Sequence, residues 1–135
     1  MATLCPYIHF NGNCEEAFNF YKSVFGGELQ IARYKDAPPQ FPSSPAHGEK
    51  LMNVTLQGGD VKIMGSDWPE HGKAEIGNNI QIVLEVDSDA KADKLYNALS
   101  AGGKINMPIG KTFWGSYFGM VADKFGVHWM ISHAY

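Results

Sequence analysis

The side chains here that can move a proton or grip a ligand are five histidines, two cysteines and scattered carboxylates and amides. An imidazole titrates near neutral pH, so His9, His47, His71, His128 and His133 are each tested for a general base or a ligand contact. His128 shares a strand face with Met130 and is the strongest polar candidate. Gln81 and Glu85 lie on one face of another strand, with Val83 between them. Phe113, Trp114 and Tyr117 surround Gly115-Ser116, an aromatic cluster that either packs a core or meets a flat ligand. Cys14 opens a helix, where the N-terminal amides lower a thiol pKa; the plainer expectation is a small, partly buried residue. His47 and His71 fall on loops and His133 near the end of the chain, so solvated surface positions are expected for all three.

These residues need elements to hold them. Residues 4–11 read as a strand with Pro6, Ile8 and Phe10 on one face and Tyr7 and His9 on the other. Asn13 and Glu16 form a capping-box pattern ahead of a helix over 14–25, with Ala17, Phe20, Tyr21 and Val24 as its apolar stripe. Gly26-Gly27 stops that helix, and residues 28–35 form a strand. The stretch 36–49 holds four prolines without periodicity and is expected to be an exposed loop of the kind that forms lids. A hairpin follows, 50–57 and 60–66 around Gly58-Gly59, then a polar connection over 67–78. A strand over 79–86 leads through Asp87 or Ser88 into a helix ending near Ala101, with Ala92, Leu95, Ala98 and Leu99 on its stripe. Gly102-Gly103 stops it, and strands over 104–113, 117–122 and 127–134 complete the chain.

Strand, capped helix, Gly-Gly, strand thus occurs twice. The glycine pairs lie 102 − 26 = 76 residues apart, and the same shift carries Ile8 onto Leu84 and Phe10 onto Val86. The expected architecture is α+β: two βαβββ modules, about 1–68 and about 78–135, within a single domain spanning 1–135. A chain of this length buries roughly two thirds of its unfolded surface, so it needs no disulfide staples. With 44% hydrophobic and 19% charged residues, it is neither disordered nor membrane-spanning. A net charge of 11 − 14 = −3 lacks the basic footprint that nucleic-acid binding requires. The start of the chain has neither a basic cluster nor an apolar run, and free thiols suit a cytoplasmic protein.

The wording of three segments carries a resemblance: Pro6-Tyr7-Ile8-His9-Phe10-Asn11-Gly12-Asn13-Cys14-Glu15-Glu16-Ala17-Phe18-Asn19-Phe20-Tyr21, Ile63-Met64-Gly65-Ser66-Asp67, and Thr112-Phe113-Trp114-Gly115 with Phe118-Gly119-Met120-Val121-Ala122-Asp123-Lys124-Phe125-Gly126-Val127-His128-Trp129-Met130-Ile131. The sequence resembles PhnB-like proteins of the vicinal oxygen chelate superfamily, which includes glyoxalase I, bleomycin and fosfomycin resistance proteins and extradiol dioxygenases. The resemblance implies modules whose strands curl as a mixed sheet around a concave pocket, a homodimer, and a small-molecule ligand. In the superfamily's enzymes it further implies a divalent metal with open coordination positions, acting as a Lewis acid on paired substrate oxygens.

Matched by counting, the metal-ligand positions of that pattern fall on Pro6, on Gln81, near Met64 or Gly65, and on Met130. Only Gln81 can donate to a divalent ion, so no metal and no cofactor are predicted. His9, one residue out of phase with Pro6, is expected to face the helix as a structural residue. The ligand-binding positions are therefore expected to be Ile8, Phe10, Gln81, Trp114, Tyr117, His128 and Met130, with no assigned catalytic residue. The competing expectation is a lyase, isomerase or dioxygenase with an altered metal site drawing His47 and Glu49 from the 36–49 loop. Some PhnB-like proteins also carry a demethylubiquinone methyltransferase label. The first strand here runs into Asn11-Gly12-Asn13 rather than a glycine-rich nucleotide loop, which gives that label no support.

Overall fold

The computed structural model describes residues 2–135. The chain divides into two compact units, one ending at Glu75 and the other running Ile76–Tyr135. In the first, β1 (Tyr7–Phe10) leads into α1 (Cys14–Phe25), followed by β2 (Glu28–Arg33), a short α2 (Pro45–Gly48), β3 (Leu51–Gly58) and β4 (Val61–Asp67). In the second, β5 (Ile82–Glu85) precedes α3 (Asp89–Ser100), then β6 (Lys104–Lys111), β7 (Ser116–Ala122) and β8 (His128–Ala134). Each unit forms a four-stranded mixed sheet, in the orders β1-β4-β3-β2 and β5-β8-β7-β6. The βαβββ plan thus occurs in both. In each sheet the first strand pairs parallel to the last, and all other pairs are antiparallel.

One buried carboxylate organises the first unit. Asp67, 1% exposed at the end of β4, accepts the Gly12 and Cys14 amides on Oδ1 at 2.9 and 3.0 Å and the Leu51 amide on Oδ2 at 2.9 Å. It therefore joins the exit of β1, the first turn of α1 and the start of β3, and its own carbonyl accepts the Tyr34 hydroxyl at 2.7 Å. The expected Asn13 cap is replaced by this arrangement: Asn13 makes no side-chain capping bond, because a carboxylate from another strand already satisfies the helix's first amide. Its stripe is also rotated, with Cys14, Ala17, Phe18 and Tyr21 buried at i, i+3, i+4 and i+7 while Phe20 and Val24 are only half-buried. Phe18 meets Phe10 and Tyr21 edge to face, at centroid distances of 6.0 and 5.5 Å.

That rotation requires close approach of the backbone. A Cβ on Gly65 would stand 2.6 Å from Phe18 Cε1 and 2.7 Å from the Ile8 carbonyl, so only glycine lets the ring lie on the sheet. The second residue of each Gly-Gly pair is similarly confined. A Cβ on Gly27 would come within 2.7 Å of the Gln57 carbonyl, and one on Gly103 would overlap the Ala122 carbonyl.

The second unit buries Ala92, Tyr96 and Leu99 of α3 against Val121, Trp129 and Ile131. Its buried aspartate, Asp123, closes the β7–β8 turn by accepting the Phe125 and Val127 amides at 2.8 and 3.1 Å and Trp129 Nε1 at 2.9 Å. Two further bonds tie α3 to the sheet: the Tyr117 hydroxyl donates to Asp93 Oδ1 at 2.5 Å, and His133 Nδ1 lies 2.8 Å from Asp89 Oδ1. His133 is thus a bracing residue, not the solvated terminal residue expected.

Other differences have local causes. The 36–49 stretch contains α2, started by Pro45 at its first position and by Ser44, whose hydroxyl accepts the His47 amide at 3.2 Å. Strand β6 carries register shifts between Ile105 and Met107 and between Met107 and Gly110, around Pro108, and lies at the sheet edge, where proline is tolerated. β1 and β5 are shorter than expected, at four residues each.

Replacing Asp67 with alanine leaves the buried Cys14 and Leu51 amides and the part-buried Gly12 amide without acceptors, at about 1–3 kcal/mol for each buried one. Urea titration of Asp67→Ala is expected to show a loss of roughly 3 kcal/mol or more. Asp67→Asn, which keeps one acceptor oxygen, is expected to lose about 1–3 kcal/mol. An unchanged midpoint in Asp67→Ala would remove the clamp from this account.

The carboxylate of Asp93 holds Tyr117 in its neutral form and pushes the phenol pKa up to about 12 from an ordinary 10.0. The folded state therefore keeps a proton that the unfolded chain gives up first. The contribution is complete below pH 10.0 and is lost as pH rises through about 12. Phenolate absorbance titration of Asp93→Asn is expected to show Tyr117 ionising earlier, with less alkaline destabilisation; a titration superposing on wild type refutes the coupling.

Candidate functional site

Each sheet has one face under its helix and one turned away from it, and alternation assigns every strand residue to one or the other. In the first unit Phe10 is 3% exposed and packs on Phe18, which puts Phe10, and with it Ile8, on the helix side. Gly65, the register partner of Ile8, sits there too. This reverses the expected phase. Phe10 is a core ring, and Ile8 shares its side, whereas Tyr7 and His9 occupy the helix-free face. The positional match to Pro6 counted along the chain without regard to which side α1 covers.

The helix-free face of β1 carries a defined cluster. His9 pairs in register with Ser66, and its Nδ1 lies 3.0 Å from Ser66 Oγ. The Trp68 ring meets the imidazole edge to face, at 4.7 Å and 84°, and Tyr7 stands on the other side at 5.1 Å. Asn53 Nδ2 donates to the Tyr7 hydroxyl at 3.4 Å. Tyr7 is 42% and Trp68 36% exposed, although Ser66 is buried. Tyr7, Ser66 and Trp68 were not singled out in the sequence. The signal was their two-residue spacing around Asp67 and the position of Tyr7 two residues before His9.

In the second unit the register Val83 with Met130 and Glu85 with Ser132 places these four on the helix-free face, since neighbouring Trp129 and Ile131 are buried under α3. Met120 opposes Met130, and Ala122 opposes His128, so His128 and Met130 share that face as expected. Trp114, 53% exposed, reaches it through Phe118, ring to ring at 5.5 Å. Gln81, just before β5, has a buried Oε1 with no hydrogen-bond partner among the described residues. Tyr117 does not join this group: it is the register partner of His133, and its hydroxyl is bound to Asp93 on the α3 side.

The two faces match at the 76-residue shift. Tyr7 and Val83 are both exposed, as are His9 and Glu85, while Ile8 and Leu84 are half-buried. Met64 and Ser66 on β4 occupy the register slots of Met130 and Ser132 on β8. Equivalent slots thus hold His9 beside Ser66 and Glu85 beside Ser132.

The residues that counting along the chain matches to metal-ligand positions do not fit a divalent ion, and Pro6 falls in phase with Ile8 and Phe10, off the helix-free face. Pro6, Met64 or Gly65, and Met130 offer no hard donor, which leaves one amide oxygen on Gln81. Among the described residues no three His, Cys, Asp or Glu side chains are grouped to share a metal. The 36–49 loop holds its candidates elsewhere: Glu49 pairs with Lys35 at 2.8 Å, and His47 packs on the Tyr34 ring at 4.4 Å. Cys14 is fully buried, and desolvation, reinforced by the Asp67 and Glu15 charges, pushes its thiol far above the ordinary range. The helix N-terminus does not activate it.

A polar cleft of about 230 Å³ lies beside the start of α1, lined by Gly12, Glu15, Arg33, Glu49, Lys50, Leu51 and Asp67. Its charges are spent internally: Arg33 grips Glu15 through two bonds of 2.9 and 2.8 Å, and Lys50 Nζ donates to the Gly12 carbonyl at 2.8 Å. The Arg33 fork lowers the Glu15 pKa, an effect weakened by solvent at this exposed pair.

Comparison with known proteins agrees with this architecture. Residues 6–131 match the family model described as the Glyoxalase/Bleomycin resistance protein/Dioxygenase superfamily. Protein YjdN of Escherichia coli (strain K12) is 35% identical over 140 residues, covering 96% of this chain and 93% of its own. The crystal structure of protein PA1353 from Pseudomonas aeruginosa superposes with a TM-score of 0.89 at 38% identity, covering 99% of this chain and 98% of that one. A Bacillus cereus structure described as a putative 3-demethylubiquinone-9 3-methyltransferase, PhnB protein, shares the fold, with a TM-score of 0.75 at 23% identity over 98% of this chain and 100% of that one. With its two βαβββ units and a family match over nearly its whole length, the chain belongs to the glyoxalase/bleomycin resistance/dioxygenase superfamily.

Proposed function

We propose that this protein is a metal-independent small-molecule binder of the resistance-protein type, a homodimer that takes an apolar or aromatic ligand on its helix-free sheet faces. The observation that carries this reading is the make-up of the helix-free faces: they hold rings and thioethers with a few polar groups, and in the second unit the residues matched to metal ligands, Gln81 and Met130, are an amide and a thioether. Such a mixture of apolar surface and sparse hydrogen-bonding groups is what a small-molecule site requires. Trp114, Met130, His128 and Gln81 are the contacts proposed in the second unit.

The methyl-transfer description of the Bacillus cereus relative is not adopted for this chain. The Gly12 amide, which a nucleotide phosphate would need, is taken by Asp67, and no glycine-rich turn follows β1. The metalloenzyme alternative, a lyase, isomerase or dioxygenase, loses ground because Glu49 is paired with Lys35, and His47, whose buried Nε2 lacks a hydrogen-bond partner among the described residues, has no group of ligands gathered around it there.

Metal analysis of protein purified without a metal-affinity tag is expected to give far less than one equivalent of Zn, Ni, Mn or Fe. A ligand from a panel of aromatic small molecules is expected to raise the melting temperature in proportion to RT ln(1 + [L]/Kd). A near-stoichiometric metal that disappears in Gln81→Ala with His128→Ala would overturn the binding-only reading and favour the metalloenzyme.

A further inference from the structure

We infer that His9 is the polar anchor of the first unit's ligand face and that it selects a planar aromatic carrying a phenolic hydroxyl; this rests on the small-molecule reading above and names the ligand class. The argument begins with the two ring nitrogens. Nδ1 is engaged by Ser66 Oγ at 3.0 Å, and Nε2 has no hydrogen-bond partner among the described residues. Ser66 is buried at the end of β4, next to the clamped Asp67, so the hydroxyl that orients the imidazole is itself held by the most constrained strand end in the unit. The ring is fixed from two sides, by Trp68 edge-on at 4.7 Å and Tyr7 at 5.1 Å. A histidine oriented in this way, exposed and short of one partner, presents a directional group rather than filling space.

The surroundings narrow the ligand. Trp68 and Tyr7 offer partly exposed rings that complement a flat apolar body. The register neighbours nearest His9 on the same face, Met64, Thr55, Asn53, Gln30 and Ala32, are uncharged, while Lys62 and Glu28 stand farther along it beyond Met64 and Gln30, so the imidazole and the Tyr7 hydroxyl are the polar groups beside the Trp68 ring. Whichever of the Ser66–His9 pair donates, Nε2 is left as the complementary donor or acceptor. A phenolic oxygen meets both states: its O–H donates to a bare Nε2, and its lone pairs or its phenolate accept from Nε2–H. An aryl ether meets only the second. The equivalent slot of the other unit holds Glu85 beside Ser132, an acid that would repel a phenolate, so the selection belongs to His9 and not to the repeated architecture.

The test uses 4-nitrophenol, its methyl ether 4-nitroanisole, and nitrobenzene as probes on the full chain, with binding read by tryptophan fluorescence and by nitrophenol absorbance. Wild type is expected to bind 4-nitrophenol about tenfold tighter than either comparison compound, the size of one hydrogen bond to an ionisable group. His9→Phe keeps a flat ring and removes the nitrogens; it is expected to erase that preference while leaving nitroanisole affinity within about twofold. His9→Leu, which also removes both nitrogens from a side chain of comparable size, serves should the phenylalanine variant fail to fold. Ser66→Ala is expected to give a smaller loss, about threefold, and to broaden the histidine ring 15N resonances that the Ser66 bond orders. Equal binding of phenol and ether by wild type, or an intact preference in His9→Phe or His9→Leu, overturns the inference while leaving the small-molecule reading in place. Failure of all three probes, when another panel compound stabilises the protein, also overturns the inference alone. Failure of every compound overturns both.

Discussion

A single carboxylate with three backbone donors sets the geometry of the first unit. Asp67 accepts from Gly12, Cys14 and Leu51, amides that lie 55, 53 and 16 residues from it in the chain, and is almost wholly removed from water. An acceptor so buried is costly unless each oxygen is used, and here both are. The bonds fix where β1 ends, how α1 is rotated and where β3 begins. They also fix Ser66 and Trp68, the residues on either side of Asp67, and through them the imidazole of His9. Cys14 is drawn into the core by the same contact, which explains why a thiol at a helix start is unreactive.

The second unit reaches the same plan by other means. Its buried aspartate, Asp123, serves a turn and the Trp129 indole, and α3 is secured by side chains that reach it from β7 and β8, Tyr117 to Asp93 and His133 to Asp89. Asp67 gathers backbone amides from separate segments, whereas Asp123 takes two amides of its own turn and one indole, and α3 depends on side-chain bonds. The common element is steric: Gly27 and Gly103 each abut a backbone carbonyl across the turn, so the strand after the helix is pressed against the hairpin in both.

Periodicity and punctuation made most of this plan legible. Helix α1 matches its expected bounds, the Gly-Gly stops fall where the helices end, and the 76-residue shift aligns exposed with exposed positions on β1 and β5. Ser44-Pro45 was a helix-start signal hidden in a proline-rich stretch. What alternation could not supply is which of two faces lies under a helix. Both faces of 4–11 are apolar enough to be buried, and the deciding contacts, Phe10 with Phe18 and Gly65 beneath it, join residues far apart in the chain. Phe10 and Tyr117 were therefore expected on the wrong side, and the Asp67 clamp, built from segments more than fifty residues apart at its extremes, left no local trace.

Because successive residues of a strand serve opposite faces, the positions packed under the helix and those on the helix-free face interleave without sharing side chains. Ile8, Phe10, Gly65 and Asp67 hold the first unit together; Tyr7, His9, Ser66 and Trp68 stand between and beside them. A lineage built on this frame can change what it recognises by rewriting alternate letters of β1 and β4, with little thermodynamic penalty for the helix beneath. The pair His9 and Glu85, an imidazole and a carboxylate at one repeated slot, is that divergence already carried out within a single chain.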